Sequence, residues 1–173
     1  MNKEHRDILR LRALAMARET EEKKKDSPVI QLITFMLANE MYGLESAFVR
    51  EVYPLREFTH LPGLPPYIFG VINVRGQIIP VIDLKKFFNL PEQGLTELNK
   101  VIILHNDQME FGILADLVHG TQRIESDEIR KAPHTLKGIG FEYLLGVTKD
   151  KLIVLNAGRL LNDENIVVND SIA

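Results

Sequence analysis

The stretch from Ile68 to Phe88 reads IFGVINVRGQIIPVIDLKKFF, and it decides the fold class. Two strand-length runs rich in β-branched residues, Ile68–Val74 and Gln77–Leu84, are separated only by the pair Arg75-Gly76. A connection of two residues requires positive φ, which glycine adopts without a steric penalty. The stretch therefore predicts a β-hairpin with Arg75 at its tip and Gly76 in the turn.

The return strand of this hairpin does not alternate between apolar and polar residues. Apolar residues occupy both parities of Gln77–Leu84, which is typical of a strand buried on both faces. We therefore expect it to lie between two packed layers. Pro80 has no amide hydrogen and is expected at a sheet edge or a bulge. Asp83 is expected to cap a short helical turn that begins at Leu84.

Composition narrows the classes of function. The chain has 173 residues, 45% of them hydrophobic and 26% charged, with a net charge of −3 and no cysteine. These values are typical of a soluble globular protein without disulfides or thiolate metal sites, and they argue against binding of nucleic acid. No apolar run reaches the roughly 20 residues of a membrane span. We therefore expect a cytoplasmic protein that does not insert into the membrane.

The motifs of common catalytic and metal sites are missing from the sequence. The five histidines have no metal-ligand spacing, and no nucleophile elbow, phosphate loop or dinucleotide fingerprint occurs. Asp83 and Asp116 could be imagined as an acid and base pair. A capping role for Asp83 and an exposed position for Asp116 explain them more simply. We expect no enzyme, no cofactor and no metal.

The second half of the chain repeats the first. Gly112 follows Gly43 by 112 − 43 = 69 residues, in similar strand contexts, and Gly146 follows Gly70 by 146 − 70 = 76. Chance similarity between β-strands is the alternative, since strands share a bias for valine, isoleucine and glycine. We predict a duplicated structure, with one lobe at about residues 29–90 and a second at about residues 100–161.

The two ends of the chain differ in composition from the middle. Residues 1–27 show apolar residues at helical spacing among many charges, which predicts a helix followed by a solvated linker. This extension is either a docking helix, for a partner or for the body of the protein, or a frayed end. The main domain is expected at residues 28–165, and residues 166–173 form a polar tail.

Binding features remain after the catalytic classes are set aside. They are Arg75 at the hairpin tip, Glu51 in an apolar strand that begins at Val49, and the proline-rich stretch Leu61–Pro66. Taken alone, Arg75 is better explained as a turn residue that favours solubility, and Glu51 as an ordinary solvent-facing strand residue. The spacing does not show whether they share a face.

The hairpin and several other motifs resemble the CheW family of bacterial chemotaxis coupling proteins. The similarity extends from about Val29 to Leu161. The motifs, in chain order, are Tyr42-Gly43-Leu44, Val49-x-Glu51-Val52, Phe69–Gly76, Ile79–Leu84, Phe111-Gly112-Ile113 and Leu145-Gly146-Val147. The resemblance implies an all-β fold of two SH3-like five-stranded β-barrel lobes packed pseudo-symmetrically, with short helices.

The resemblance also implies a function. Such a protein is a non-enzymatic adaptor that holds the histidine kinase CheA, through its regulatory domain, to the cytoplasmic tips of methyl-accepting chemoreceptors. It would be cytoplasmic and recruited to receptor arrays at the inner membrane. A paralogue that serves a non-flagellar or orphan receptor-kinase pathway is the alternative within the family. A small-ligand-binding or catalytic double barrel is the alternative from another class.

The resemblance implies site residues as well. Val49, Glu51 and Arg75 would lie at or near the receptor-binding groove, and Val101 matches a further position associated with receptor coupling. Gly70 would maintain the backbone shape of the groove. Gly76 would have a structural role in the hairpin turn.

Overall fold

The structure is a computed structural model that describes residues 3–25, 27–132 and 139–166. Within these ranges the chain forms mostly strands, with a long N-terminal helix and short helices. The α-helices are α1 (Lys3–Lys25), α2 (Leu84–Phe87) and α3 (Ala157–Leu161). The strands are β1 (Val29–Leu37), β2 (Glu40–Glu45), β3 (Val49–Pro54), β4 (Ile68–Val74), β5 (Gln77–Ile82), β6 (Lys100–His105), β7 (Glu110–Ala115), β8 (Leu117–Glu125), β9 (Leu144–Val147) and β10 (Ile153–Leu155).

The strands form two five-stranded sheets. The first sheet has the order β8-β1-β2-β10-β9, and the second has the order β3-β6-β7-β5-β4. In each sheet the second strand of one repeat pairs in parallel with the fifth strand of the other, as β2 with β10 and β7 with β5. The predicted all-β class with two pseudo-symmetric five-stranded units is confirmed.

The assignment of strands to lobes corrects one prediction. Residues 29–90 and residues 100–161 were each expected to form one lobe, but each half contributes strands to both sheets. The hairpin β1-β2 joins β8, β9 and β10, while the hairpin β6-β7 joins β3, β4 and β5. The first two strands of each repeat thus pair with the last three strands of the other. Because the two repeats present similar strand edges, local sequence does not distinguish exchanged pairing from pairing within a half.

Three apolar cores stabilise this arrangement. Strand β6 lies between two of these cores. Val101 and Ile103 face the core of the second sheet, whereas Ile102 and Leu104 face the region between the sheets. The region between the sheets, called the seam below, also contains Phe35 and other residues of the first sheet. The core of the first sheet contains Leu32, Ile124, Leu152 and Val154.

The hairpin β4-β5 agrees with the sequence in most details. Ile79 and Val81 face the core of the second sheet, and Ile82 faces the seam, so the return strand lies between two packed layers as predicted. The ladder between β5 and β7 pairs only Val81 and Ile82. Pro80 precedes this ladder, where the edge of β5 towards β7 is unpaired. Its lack of an amide hydrogen therefore removes no ladder hydrogen bond with β7, as expected.

The short helix α2 is capped by Asp83 as the sequence predicted, and α3 is capped in the same way. The Asp83 carboxylate accepts a hydrogen bond from the amide of Lys85 at 3.0 Å. At the equivalent place in the second repeat, the Asn156 side chain accepts a hydrogen bond from the amide of Arg159 at 3.0 Å. Each repeat therefore ends in a strand followed by a capped helical turn.

The N-terminal extension is helical, as predicted, over Lys3–Lys25. The described side chains of α1, those of residues 6–18, are all exposed, and none belongs to the three cores. The polar tail predicted at residues 166–173 lies outside the described residues except for Ile166, which packs in the seam. In the part of the chain that the structure describes, no helix is both long and apolar enough to cross a membrane.

Candidate partner-binding site

The tip of the β4-β5 hairpin presents Arg75 to solvent. Arg75 has φ of 52° and Gly76 has φ of 85°, so both turn residues adopt the left-handed conformation that a tight two-residue turn requires. The Asn73 side chain accepts a hydrogen bond from the amide of Gly76 at 2.8 Å. The side chain of Arg75 is 72% exposed although its backbone is held in a defined turn.

Glu51 on β3 forms a forked ion pair with Arg75. Nη1 of Arg75 donates to Oε1 of Glu51 at 3.1 Å, and Nη2 donates to Oε2 at 3.0 Å. Two parallel charge-assisted hydrogen bonds fix both the distance and the orientation of the guanidinium. The structure thus brings together two residues that the sequence singled out separately, Glu51 on the outermost strand β3 and Arg75 in the turn that follows β4 at the opposite edge of the sheet.

A second polar group lies beside this pair and was not identified from the sequence. Arg50 donates from Nη1 to Oε1 of Gln77 at 2.9 Å and to Oε1 of Glu110. Nε2 of Gln77 donates to Oε2 of Glu110 at 2.8 Å, which closes the group. The hydrogen bond to Glu110 is the main cause that raises the pKa of Arg50 above its ordinary value. The three residues are far apart in sequence, so no local sequence pattern indicates their contact.

An apolar groove opens beside the hairpin. Its volume is about 370 Å³. It is lined by Leu61, Leu64, Ile68, Val71, Ile78, Pro80, Ile82, Met109, Phe111 and Ile166. Ile68, Ile82, Phe111 and Ile166 also belong to the seam, so the groove is the exposed continuation of the apolar contact between the sheets. Ile78 is 61% exposed there, an unusual position for an isoleucine within a strand.

Comparison of the sequence with known protein families identifies the family of this chain. Residues 31–165 match the model of the CheW-like domain. The chain belongs to the CheW-like family.

Individual relatives agree with this assignment. The chain is 32% identical over 143 residues to the chemotaxis protein CheW of Treponema pallidum, covering 79% of this chain and 84% of the relative. It is 34% identical over 146 residues to CheW of Bacillus subtilis, covering 80% and 86%. The crystal structure of the scaffolding protein TtCheW from Thermoanaerobacter tengcongensis matches with a TM-score of 0.70 and 32% identity, over 80% of this chain and 91% of that one. The CheW-like chain is accordingly a scaffold protein of chemotaxis signalling and not an enzyme.

Gly70 has a steric role in the CheW-like chain that the sequence could not reveal. Its φ is 153°, and a Cβ built there would lie 2.4 Å from the carbonyl oxygen of Thr59. Thr59 and Val71 exchange two backbone hydrogen bonds of 2.9 Å, so the loop before β4 lies directly on the strand. This loop carries Leu61 and Leu64, which form one wall of the groove. Gly70 thus permits the close approach that positions that wall.

Val101 requires a correction. The resemblance grouped it with the receptor-binding residues, but it is 0% exposed in the core of the second sheet. A Cβ built at Gly112 would lie 2.2 Å from Cγ1 of Val101, so the valine fills the space beside the glycine. A side chain in this position cannot contact a partner directly. Its role in the CheW-like fold is packing.

The remaining candidates divide between surface and interior. Val49 at the start of β3 is partly exposed and packs against the seam, which leaves part of its side chain accessible. Asp116 was expected to be exposed, but its side chain is 15% exposed and pairs with Lys85, which corrects that prediction. Among the residues that the structure describes, no three histidine or acidic side chains are grouped so that they could hold a metal ion.

Proposed function

We propose that this CheW-like chain is an adaptor that couples the cytoplasmic tips of chemoreceptors to the regulatory domain of the histidine kinase CheA. The observation that carries the proposal is the apolar groove beside a hairpin tip whose arginine is 72% exposed and already oriented by Glu51. The protein would act in the cytoplasm and be recruited to receptor arrays at the inner membrane.

The groove fits an amphipathic helix. A helix that binds in a groove inserts apolar residues at i, i+3, i+4 and i+7, and the groove offers apolar walls from the loop, the hairpin and β7. Ile78 and Pro80 line the groove on the part of β5 that precedes its ladder with β7. A helical receptor tip would supply such a stripe.

Arg75 supplies orientation rather than apolar contact. Its forked bond to Glu51 uses Nη1 and Nη2, and a guanidinium carries five N–H groups in all. The hydrogens that Glu51 does not accept can bind a carbonyl or carboxylate of the partner. Because Glu51 holds the side chain in place beforehand, little conformational entropy is lost when the partner binds.

The experiment is a calorimetric titration of a purified receptor cytoplasmic fragment into the folded protein. Arg75→Ala is expected to weaken the affinity about 10- to 100-fold, as the loss of hydrogen bonds to a charged group predicts. The melting temperature should remain within a few degrees because the side chain is exposed. The matched control is Arg123→Ala, which removes an exposed arginine from β8 in the first sheet. Unchanged affinity of a folded Arg75→Ala variant contradicts the proposal.

A charge exchange separates a contact with the partner from a purely internal role. The double variant Glu51→Arg and Arg75→Glu retains opposite charges at the two positions. If Arg75 contacts the receptor, the double variant folds but still binds weakly. If the pair serves only to connect β3 with the hairpin, the double variant binds at nearly the affinity of the wild type, and the proposed contact is then wrong.

A further inference from the structure

The three side chains of Arg50, Gln77 and Glu110 each hydrogen-bond to the other two. Arg50 donates to both partners, and Gln77 donates to Glu110. Gln77 directly follows the hairpin turn, and Arg50 directly precedes Glu51. The group therefore connects β3 with the hairpin a second time, next to the forked pair of Glu51 and Arg75.

The topology explains why these residues meet. Strand β3 is antiparallel to β6, which is antiparallel to β7, and β7 is parallel to β5. Strands β3, β5 and β7 therefore run in the same direction, and Arg50, Gln77 and Glu110 lie at or next to their first residues. The register of β3 shifts between Val49 and Glu51, so Arg50 lies in a β-bulge. A bulge redirects a side chain away from the ordinary alternation of a strand.

The charges show what Arg50 contributes. Two arginines and two glutamates lie in this region, namely Arg50, Arg75, Glu51 and Glu110. Arg50 neutralises Glu110 directly, and its Nε lies 3.8 Å from Oε1 of Glu51. Without Arg50, two carboxylates would remain near a single guanidinium. Glu110 and Glu51 would repel each other, and the geometry of the fork at Arg75 would be less defined.

We propose that Arg50 is a positioning residue of the partner-binding site, which sets the orientation of Arg75 by neutralising Glu110 and aligning Glu51. The proposal rests on the proposed function, since it assumes that Arg75 contacts the partner. Arg50 itself is engaged within the protein through Nη1 and does not need to touch the partner.

The test is a double-mutant cycle between Arg50 and Arg75, with the same receptor fragment as the probe. Arg50→Met retains the aliphatic part of the side chain and removes the charge, and it is expected to weaken binding about three- to tenfold. In the Arg75→Ala background, the same change is expected to have almost no effect. A substitution that simply loosened the fold would weaken binding by a similar factor in both backgrounds, and that result overturns the proposal.

The conservative variant provides an independent control. Both hydrogen bonds of Arg50 leave the same nitrogen, so the ammonium of Arg50→Lys can replace them, and we expect affinity within about twofold of the wild type. Arg75 uses two nitrogens, so Arg75→Lys loses the fork and binds as weakly as Arg75→Ala. Weak binding of a folded Arg50→Lys variant contradicts the positioning role.

A measurement without any partner completes the test. Nuclear magnetic resonance of the isolated protein reports whether the Nη hydrogens of Arg75 are held by Glu51 or rotate freely. Arg50→Met is expected to average these signals, and Arg50→Lys to preserve them. Signals that are the same in all three proteins overturn the positioning role. If instead Arg75→Ala leaves receptor affinity unchanged while the signals respond to Arg50, the proposed function fails and the internal alignment stands.

Discussion

The ammonium group of Lys85 lies 2.5 Å from Oδ1 of Asp116, and the two side chains are only 3% and 15% exposed. Lys85 belongs to α2, after the last strand of the first repeat. Asp116 lies between β7 and β8, where the second repeat crosses from the second sheet to the first. Oδ2 of Asp116 also accepts the amide hydrogen of Ala38 at 2.8 Å. The pair therefore holds together segments of both repeats and both sheets.

Removing one member of this pair should lower the free energy of unfolding. Lys85→Met leaves the Asp116 carboxylate nearly buried with one hydrogen-bond donor, Ala38, and is expected to lower the free energy of unfolding by about 3 kcal/mol. Adding Asp116→Asn removes the buried charge and keeps an acceptor for Ala38, so the double variant should recover more than half of the loss. Urea unfolding measures all three proteins. A double variant that is less stable than Lys85→Met alone contradicts this account.

Gly70 and Gly146 should tolerate substitution less well than Gly76. A Cβ at Gly70 would meet the Thr59 carbonyl oxygen at 2.4 Å, and one at Gly146 would meet the Arg130 carbonyl oxygen at 2.2 Å. No atom lies within 4 Å of a Cβ at Gly76, so only its φ of 85° resists alanine. We expect Gly76→Ala to cost about 1 kcal/mol and Gly70→Ala about 3 kcal/mol of stability. Thermal melting checks the ranking, with the unhindered Gly94→Ala as the control. Equal costs at Gly70 and Gly76 are the contrary result.

The raised pKa of Asp83 should make the stability of the protein depend on pH. Burial is the main cause that raises the pKa of its carboxyl group above the ordinary value. As the pH rises above about 4, the unfolded chain loses this proton before the folded protein does, so the carboxyl group's contribution to stability decreases up to the raised pKa. Asp83→Asn has no such proton and keeps an acceptor like that of Asn156 in the other repeat.

The variant is therefore expected to match the wild type at about pH 4, within about 0.5 kcal/mol, and to be more stable at pH 7. Urea unfolding at a series of pH values tests this, and Asp83→Ala, which loses the cap, is the reference with a cost of about 1 kcal/mol. A difference between Asp83→Asn and the wild type that stays constant with pH argues against the assignment.

Ile78 is the groove residue best suited to a test of binding. Its side chain is 61% exposed in the wall of the groove, so Ile78→Asp should leave the fold intact. A charge in the apolar groove is expected to weaken binding of the receptor fragment by at least about tenfold, because the carboxylate loses hydration when the partner helix covers it. The control is Leu95→Asp, which changes an exposed leucine outside the groove lining. Equal effects of the two substitutions indicate that the groove is not the binding surface.

Much of the local structure could be predicted because its causes are local. Arg75-Gly76 between two β-branched runs predicts the hairpin, since a tight two-residue turn needs positive φ and Gly76 adopts it without a steric penalty. The cap at Asp83 depends on a donor only two residues away. The spacing of Gly43 and Gly112 also indicated the duplication correctly. Both glycines lie in the second strand of a repeat and pair with the fifth strand of the other, with Val154 and Val81.

The candidate site was predictable only in part. Glu51 and Arg75 stood out as polar residues in apolar surroundings, but their forked contact joins residues 24 positions apart. Arg50, Gln77 and Glu110 gave no signal, because polar and charged residues at strand ends usually face solvent. Val101 was assigned to receptor coupling through its match to a family position, and nothing in its neighbours indicated that the space beside Gly112 is filled by this valine.

The sequence by itself determined the hairpin strands, the turn at Gly76, the cap at Asp83 and the twofold repetition, because each follows from backbone preferences and apolar patterns within a few residues. Only the tertiary structure decided that the repeats exchange their strands, that Lys85 is buried against Asp116, and that Arg50 reaches Glu110. These features depend on which distant surfaces bury the most apolar area while leaving no buried charge unpaired. That choice is a property of the whole packed chain, and similar repeats offer nearly equivalent local alternatives.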